Sequence, residues 1–434
     1  MGFLSECADS AKKIPCLRVL LRNTMYLLKW MRYACRGAGI RTREHVIVFS
    51  AYGGRSYACS PKAIYEFLLS REEFRQFEFI WLFADPEKYR FLEENPRTRV
   101  LGIKTAAADR ALHSAKYWIL NFRAPDHWQP KKDQIYVQCW HGTPLKKLGY
   151  DIETTTNAMN SVREIRAKYR TDAERFRYLL SPCAFATEKF DSAWNLSAAG
   201  RSGDILETGY PRDDFLLHYT EEDCRCVRSR LGLEGSDRKV ILYTPTWRDD
   251  QHRSGVGNVY SCPEDIDLLR EKLGEQYVIL FRAHYLVANS FDFEKYRGFV
   301  YDVSGYDDIN ELYIISDVLV TDYSSTLFDY AILGRPILFY MYDRKVYGEE
   351  TRGFYFAPEL LPGPIAHTEQ ELIGNLADAQ LHPEQVRRRL EQFNRKFNDR
   401  NDGNASRRVA QKLWPEQMAG EQRGSTDAYS TDTL

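Results

Sequence analysis

Long apolar runs are missing from this chain. No stretch reaches the roughly 18 uncharged apolar residues that a membrane-spanning helix needs, and the N-terminus holds no clean signal-peptide core. Neither a spanning anchor nor a secreted product is therefore expected. Cysteine is sparse and unpaired. The nine residues (Cys7, Cys16, Cys35, Cys59, Cys139, Cys183, Cys224, Cys226 and Cys262) are odd in number and lack C-x2-C spacing. That excludes a disulfide framework or zinc site and points to a reducing cytosol. Cys224-x-Cys226 stands in a charged helical stretch with no partner pair nearby. Charge of one sign is not in excess either: 60 Lys plus Arg oppose 61 Asp plus Glu, for a net charge of -1. The global basic field that nucleic-acid binding favours is absent, so no nucleic-acid partner is expected. No internal repeat or low-complexity block occurs, and no DxD-type pair follows a strand. Asp249-Asp250 and Asp307-Asp308 lie in polar segments and read as caps or solvated loops. No tightly bound metal or cofactor is expected, with Mg2+ at most an aid in the assay.

What the chain does have is length and apolar substance. Its 434 residues exceed what one hydrophobic core usually serves, and 44% hydrophobic residues can fill two. In "CLRVLLRNTMYLLKWMRYACR", Arg18, Arg22, Lys29, Arg32 and Arg36 fall within a roughly 80° arc at about 100° per residue. The rest of that helix is Leu17, Leu20, Leu21, Leu27, Leu28, Trp30, Met31 and Tyr33. A broad apolar surface with a narrow cationic stripe suits a headgroup layer of anionic lipid. The alternative is a helix packed on its own domain with a solvated charged edge.

Beyond that helix, short apolar runs alternate with helical segments: 45–50, 77–83, 116–120 and 134–140, then 239–247, 277–281, 317–322 and 336–340. Continuous apolar runs of this length predict parallel sheets covered on both faces, in two α/β units. The predicted boundaries are an N-terminal segment 1–43, a first domain 44–215, a second domain 216–380, a helical segment 381–415 and a disordered tail 416–434.

In an open parallel sheet, ligands bind just outside the carboxyl ends of the strands. The run 134–140 delivers His141 to that rim, and Gly142 and Pro144 keep the following backbone out of helix. In the other domain "YVILFRAHY" puts Arg282 and His284 just past a strand. "YTPTWR" places Thr244, Thr246 and Arg248, hydroxyls and a guanidinium suited to phosphate oxygens, in the same way. In "DVLVTDYSSTLFDYA" a strand ends at Thr321 and a helix begins near Ser324. Its first N–H groups, with the hydroxyls of Ser324, Ser325 and Thr326, suit a pyrophosphate, although the same residues are preferred as plain caps. Asp322 and Asp329 would repel a phosphate if they faced it, so at least one is expected to bond a sugar, an imidazole or backbone instead.

"QCWHGTPLKKLGYD", "TPTWR", "RAHY", "DINELYIISDVLVTDYSSTLFDYAILGRPILFYMYD" and "RGFY" resemble the CDP-glycerol glycerophosphotransferase family of teichoic-acid primases, polymerases and capsule relatives, over roughly residues 45–405. The resemblance implies a GT-B-like fold, two Rossmann-like domains facing across a cleft. The first would take the acceptor and the second a CDP-alditol, with the helix of 381–415 crossing back. It implies a peripheral protein on the cytoplasmic face of the membrane. The family's essential histidines match His141 and His284, and its phosphate-contacting segment matches Ser324 and Ser325. Gly142, Thr143, Thr246, Arg248, Arg282, Thr321, Asp322, Thr326 and Asp329 are the further substrate-binding candidates. The expected reaction moves glycerol phosphate from CDP-glycerol to a hydroxyl of a lipid-linked saccharide or polyol-phosphate acceptor, releasing CMP. His141 would serve as general base, while His284, Arg282 and Arg248 neutralise phosphoryl charge. CDP-ribitol is the alternative donor. A nucleotide-sugar glycosyltransferase shares the architecture, and a non-enzymatic glycolipid-binding protein is the remaining contender. No large extra N-terminal domain like that of the long polymerases is expected, which leaves a shorter product or a different acceptor open.

Overall fold

The structure, a computed structural model, describes residues 15–154, 161–246, 252–253, 257–260, 265–282, 287–289, 292–343 and 353–419. The chain divides into two compact units. One comprises Met1–Arg55, Gln76–Gln138 and Thr171–Tyr178, the other Ser56–Arg75, Cys139–Arg170 and Leu179–Leu434.

The first unit is built on the parallel strands β1 (Arg43–Ser50), β2 (Glu78–Phe83), β3 (Thr98–Gly102), β4 (Ala115–Leu120) and β5 (Ile135–Gln138), in the order β3-β2-β1-β4-β5. β1, β2 and β4 read as apolar runs because both faces of the sheet are covered; Ile47, Val48 and Phe49 are fully buried. The helix Pro15–Gly37 is anchored at its C-terminal end. There the Tyr33 ring stacks on His113 at 4.1 Å, and Arg36 pairs with Asp109 at 2.7 Å. Arg36 is thus spent on a carboxylate of its own unit rather than standing in an open cationic stripe. Asn23 to Arg32 are all exposed, among them Met25, Tyr26, Leu27, Leu28, Trp30 and Met31. No described helix is long and apolar enough to cross a membrane.

The second unit holds a parallel pair, β6 (Tyr178–Ser181, from Leu179 on) and β7 (Ile205–Glu207), and a three-stranded sheet of β9 (His252–Arg253), β10 (Gly257–Tyr260) and β12 (Val287–Asn289). Its main sheet is wholly parallel: β8 (Lys239–Thr244), β11 (Tyr277–Phe281), β13 (Val300–Asp302), β14 (Val318–Thr321), β15 (Ile337–Tyr340) and β16 (Ile365–Ala366), ordered β13-β11-β8-β14-β15-β16. Alternate residues of each strand serve opposite faces. Val240 and Leu242 of β8 join one core with Val278, Leu280 and Leu319. Ile241 and Tyr243 join a second with Ile279, Phe281 and Val320.

This strand order fixes where a ligand can sit. From β8 the chain winds outward through β11 to β13, then returns to lay β14 on the other side of β8. The loops after β8 and β14 therefore leave the sheet side by side and in opposite winding directions, the crevice where open α/β sheets bind ligands. Thr246 lies on the first loop; Asp322, Ser324 and Ser325 lie on the second.

The architecture is the α/β fold with two parallel sheets that the sequence predicts, with local differences. β3, β6, β7, β13 and β16 are too short or too polar to stand out as apolar runs. The strand read over 134–140 stops at Gln138, because Trp140 takes a left-handed conformation at φ 51. The helix expected near Ser324 spans Thr326–Ala331. The surface helix at "EQVRRRLEQFNRKF" is Pro383–Phe397, and it buries Leu390, Phe393 and Phe397.

Candidate active site

The histidine loop starts with a forced turn. A left-handed backbone at a residue bearing a side chain costs roughly 1–2 kcal/mol, so surrounding contacts must hold Trp140 there. Its indole is buried edge-on against Trp194 at 4.8 Å between ring centres, with Tyr169 at 6.3 Å and Phe190 at 6.4 Å. The turn drives the indole inward and leaves the next residue, His141, exposed, its ring leaning on the outer face of the indole at 4.4 Å. Cys139 is fully buried, and burial pushes its thiol well up, so it is no competing nucleophile.

Gly142 follows, and a side chain there has no room. A Cβ would lie 2.6 Å from the Ser325 hydroxyl and 3.1 Å from the Ser325 Cβ. The backbone beside His141 thus lies directly against the serine turn after β14. Next comes Thr143, only 1% exposed, whose Oγ1 has no hydrogen-bond partner among the described residues.

Beyond Thr143 the segment runs antiparallel to Gly353–Tyr355. Lys146 bridges Phe354, the Lys147 N–H donates to the Gly353 carbonyl at 3.0 Å, and the Tyr355 N–H donates to the Leu145 carbonyl at 2.9 Å. The Tyr355 hydroxyl donates to Asp151 at 2.6 Å and accepts from the Leu148 N–H at 3.0 Å. Burial, and then Asp151, hold that phenol far above its ordinary value, so it stays protonated and keeps donating. Two motifs some 200 residues apart in sequence are thereby clamped together.

The serine turn has its own support. Thr244 Oγ1 lies 3.0 Å from Thr321 Oγ1 and 3.2 Å from Thr326 Oγ1, and the Thr321 hydroxyl donates to the Thr244 carbonyl. Asp322 accepts from the Thr246 N–H at 2.9 Å, from the Thr246 hydroxyl, and from the Tyr323 N–H at 2.6 Å. Asp329, three residues into the helix, is held by Arg212. Thr321, Asp322 and Asp329, all read from the sequence as substrate contacts, therefore face protein. Thr246 spends its own hydroxyl on Asp322.

Ser325 is the helix N-cap residue, yet its side chain makes no capping hydrogen bond. Only a long contact of 3.4 Å links Ser324 Oγ to the Thr326 N–H. Plain capping, the alternative use of these hydroxyls, does not account for Ser325. Arg282 sends Nη1 to the carbonyls of Val303 and Tyr306, at 3.1 and 2.7 Å. His284 and Arg248 lie outside the described residues. Among the described residues no group of three or more His, Cys, Asp or Glu gathers as a metal site.

The structure thus brings together His141, Gly142 and Thr143 with Ser324 and Ser325, all in the second unit. Sequence reasoning missed Arg212. The one signal available was "GYPRDDF", charge packed between a proline and an aromatic.

The chain matches a family described as CDP-Glycerol:Poly(glycerophosphate) glycerophosphotransferase over residues 34–415. It is 36% identical over 376 residues to the teichoic acid poly(glycerol phosphate) polymerase of Bacillus subtilis (strain 168), covering 86% of this chain and 48% of that one. With the teichoic acid glycerol-phosphate transferase of Staphylococcus aureus (strain NCTC 8325 / PS 47) the identity is 37% over 375 residues, covering 86% of this chain and 93% of the relative. The chain spans about half the length of the first relative and nearly all of the second. The solved structure of the wall teichoic acid polymerase TagF superposes with a TM-score of 0.80 at 33% identity, over 94% of this chain and 99% of that one. TagF was also solved as a histidine-to-asparagine variant soaked with CDPG.

Proposed function

Because the chain belongs to the CDP-glycerol:poly(glycerophosphate) glycerophosphotransferase family, we propose that it transfers glycerol phosphate from CDP-glycerol to a hydroxyl of a membrane-linked saccharide or polyol-phosphate acceptor and releases CMP. The observation that carries this assignment is the approach of Gly142, the residue next to the exposed His141, to a Ser325 hydroxyl not used for capping.

The acceptor hydroxyl attacks the β-phosphorus of the donor, forming one P–O bond as the P–O bond to CMP breaks. Neutral His141 takes the hydroxyl proton, a step that typically contributes roughly 10²–10⁴-fold. Ser324, Ser325 and Thr143 donate to the diphosphate oxygens. Arg282, with His284 and Arg248, neutralises the charge that develops on the transferring group and on CMP. Phosphoryl transfer asks mainly for such positioning and electrostatics. Gly142 is needed because the backbone must pass close to the serine turn. Thr246, Thr321, Thr326, Asp322 and Asp329 hold that turn in place. No tightly bound metal takes part.

The test is a donor panel of CDP-glycerol, CDP-ribitol and UDP-sugars, offered with lipid-linked acceptors in the presence and absence of EDTA. CMP release from CDP-glycerol alone, with a product heavier by one or more glycerol phosphates, is the expected result. UDP release would replace the assignment with glycosyl transfer, and CMP release from CDP-ribitol alone would change the alditol.

We also propose that the exposed turns of the N-terminal helix seat the protein on an anionic membrane surface at the cytoplasmic face. Six large apolar side chains between Met25 and Met31 stand exposed beside Lys29 and Arg32. An apolar face with cationic flanks binds the headgroup boundary in proportion to its buried area and to anionic lipid content. Replacing Leu28, Trp30 and Met31 together by Ser is expected to cut cosedimentation with phosphatidylglycerol vesicles at least about tenfold. Unchanged cosedimentation would remove this helix from the interface.

A further inference from the structure

Arg212 sits in the short turn Pro211–Asp213 and is 5% exposed. Its guanidinium forms a bidentate pair with Asp329, Nε to Oδ2 at 3.1 Å and Nη2 to Oδ1 at 2.8 Å. Nη1 reaches the Cys59 sulfur at 3.6 Å, at the start of the helix Cys59–Leu69. The cation lies 4.2 Å from the centre of the Tyr210 ring and 3.4 Å from Asp213 Oδ1. The Arg212 backbone is held too, since Asn310 Nδ2 donates to its carbonyl at 2.6 Å. Asn401 donates to Asp213 at 3.0 Å, which fixes the turn from the C-terminal side.

A buried ion pair is poor evidence of stability, because desolvating both charges offsets most of their attraction. Burial pushes the Asp329 carboxyl up, and the Arg212 guanidinium opposes that rise. Geometry is what the pair supplies. A guanidinium fork accepts a carboxylate in one orientation, which an ammonium or an apolar contact does not enforce.

The helix so held is short. Thr326–Ala331 has six residues and no side-chain N-cap bond, so its direction comes from outside contacts rather than its own hydrogen bonds. Asn398 and Asn394 take its Phe328 and Ala331 carbonyls at 2.7 and 2.8 Å. Arg212, through Asp329, fixes it from another element. Ser325 lies just ahead of this helix, against Gly142, and a small rotation there would carry its hydroxyl off the histidine loop.

We propose that Arg212 is a positioning residue: through its bidentate pair with Asp329 it sets the Ser324–Ser325 turn against the His141–Gly142 loop, and so governs donor binding. Arg212 touches no reacting atom. The proposal rests on the glycerophosphotransferase assignment and refines how the donor is seated.

The experiment measures CMP release against CDP-glycerol concentration at fixed acceptor for the wild type, Arg212→Lys, Asp329→Asn and the double variant Arg212→Met/Asp329→Leu. Lysine keeps the charge and loses the fork. The double variant removes both charges at similar volume and is expected to fold. All three are expected to raise the donor KM about tenfold or more with kcat within about threefold, the pattern of lost ground-state positioning. A purely structural role lowers the amount of active enzyme and hence the apparent kcat, leaving KM unchanged. A folded Arg212→Lys with the wild-type KM overturns the proposal, as does a double variant that recovers it. Should Arg212→Lys not fold, Asp329→Asn and the double variant decide by the same readout. If none of the three folds, the pair is a folding element only and the assignment falls. A wild type that releases no CMP sinks the function itself, whereas an active wild type with unaltered variants sinks this inference alone.

Discussion

His141→Ala is expected to abolish turnover while leaving the fold and the donor affinity nearly intact. The His141 side chain is exposed and leans on one face of Trp140, so truncating it opens no cavity in the core. Surface substitutions of that kind usually change stability by no more than about 0.5 kcal/mol. If the imidazole removes the acceptor proton, its loss should lower CMP release by roughly 10²–10⁴-fold. The diphosphate, by contrast, is assigned to hydroxyls and cations elsewhere, so the dissociation constant for CDP-glycerol should stay within about threefold of wild type. Calorimetric titration with CDP-glycerol and single-turnover CMP release separate the two quantities. Because the position is open, added imidazole is expected to restore part of the rate. Near-normal turnover in the variant would remove His141 from the base role, and a large loss of donor affinity would turn it into a phosphate ligand.

How far the sequence can be read depends on what each residue has to signal. The interior strands were legible because a stretch buried on both faces must be apolar, as Val46–Phe49 of β1, Val240–Tyr243 of β8, β11 and Val318–Val320 of β14 are. β3, with Arg99 exposed between buried Thr98 and Val100, carries no such run; β7 and β16 have three and two residues. At the rim, His141 could be picked out because a polar residue ending an apolar run breaks a pattern. The hydroxyl cluster near Ser324 stood out in the same way, but the choice of partners within it did not. A carboxylate such as Asp322 reads alike whether it faces a ligand or caps a neighbouring loop, and here its oxygens are taken by Thr246 and Tyr323. Arg212 was hidden for the opposite reason. In a charged stretch a guanidinium looks solvated, and only the tertiary fold shows that this one is buried on Asp329. Nor does a sequence disclose that Trp140 is turned left-handed, since the contacts holding it come from residues 169, 190 and 194.

Trp140→Ala should be the most damaging single change near the site, and for a reason distinct from chemistry. The indole fills a nest of three aromatic rings, and truncating a buried aromatic to Ala typically costs about 3–5 kcal/mol through lost transfer energy and the cavity left behind. At the same time the turn loses its anchor. An Ala at φ 51 keeps the backbone penalty of roughly 1–2 kcal/mol without the ring contacts that outweigh it, so the loop is expected to relax and withdraw His141 from the serine turn. Two effects should then appear together: a lower denaturation midpoint for the second unit, and a fall in turnover per folded molecule as large as tenfold or more by the positional argument. Trp140→Phe separates them, because a smaller ring still occupies the nest and should recover most of the rate while regaining only part of the stability. Trp140→Gly escapes the backbone penalty but leaves the nest empty, so it should stay well below the wild type in stability while exceeding Ala by no more than about 1–2 kcal/mol. If Trp140→Ala unfolds at the wild-type denaturant concentration, the nest does not hold the turn, and the exposure of His141 must have another cause.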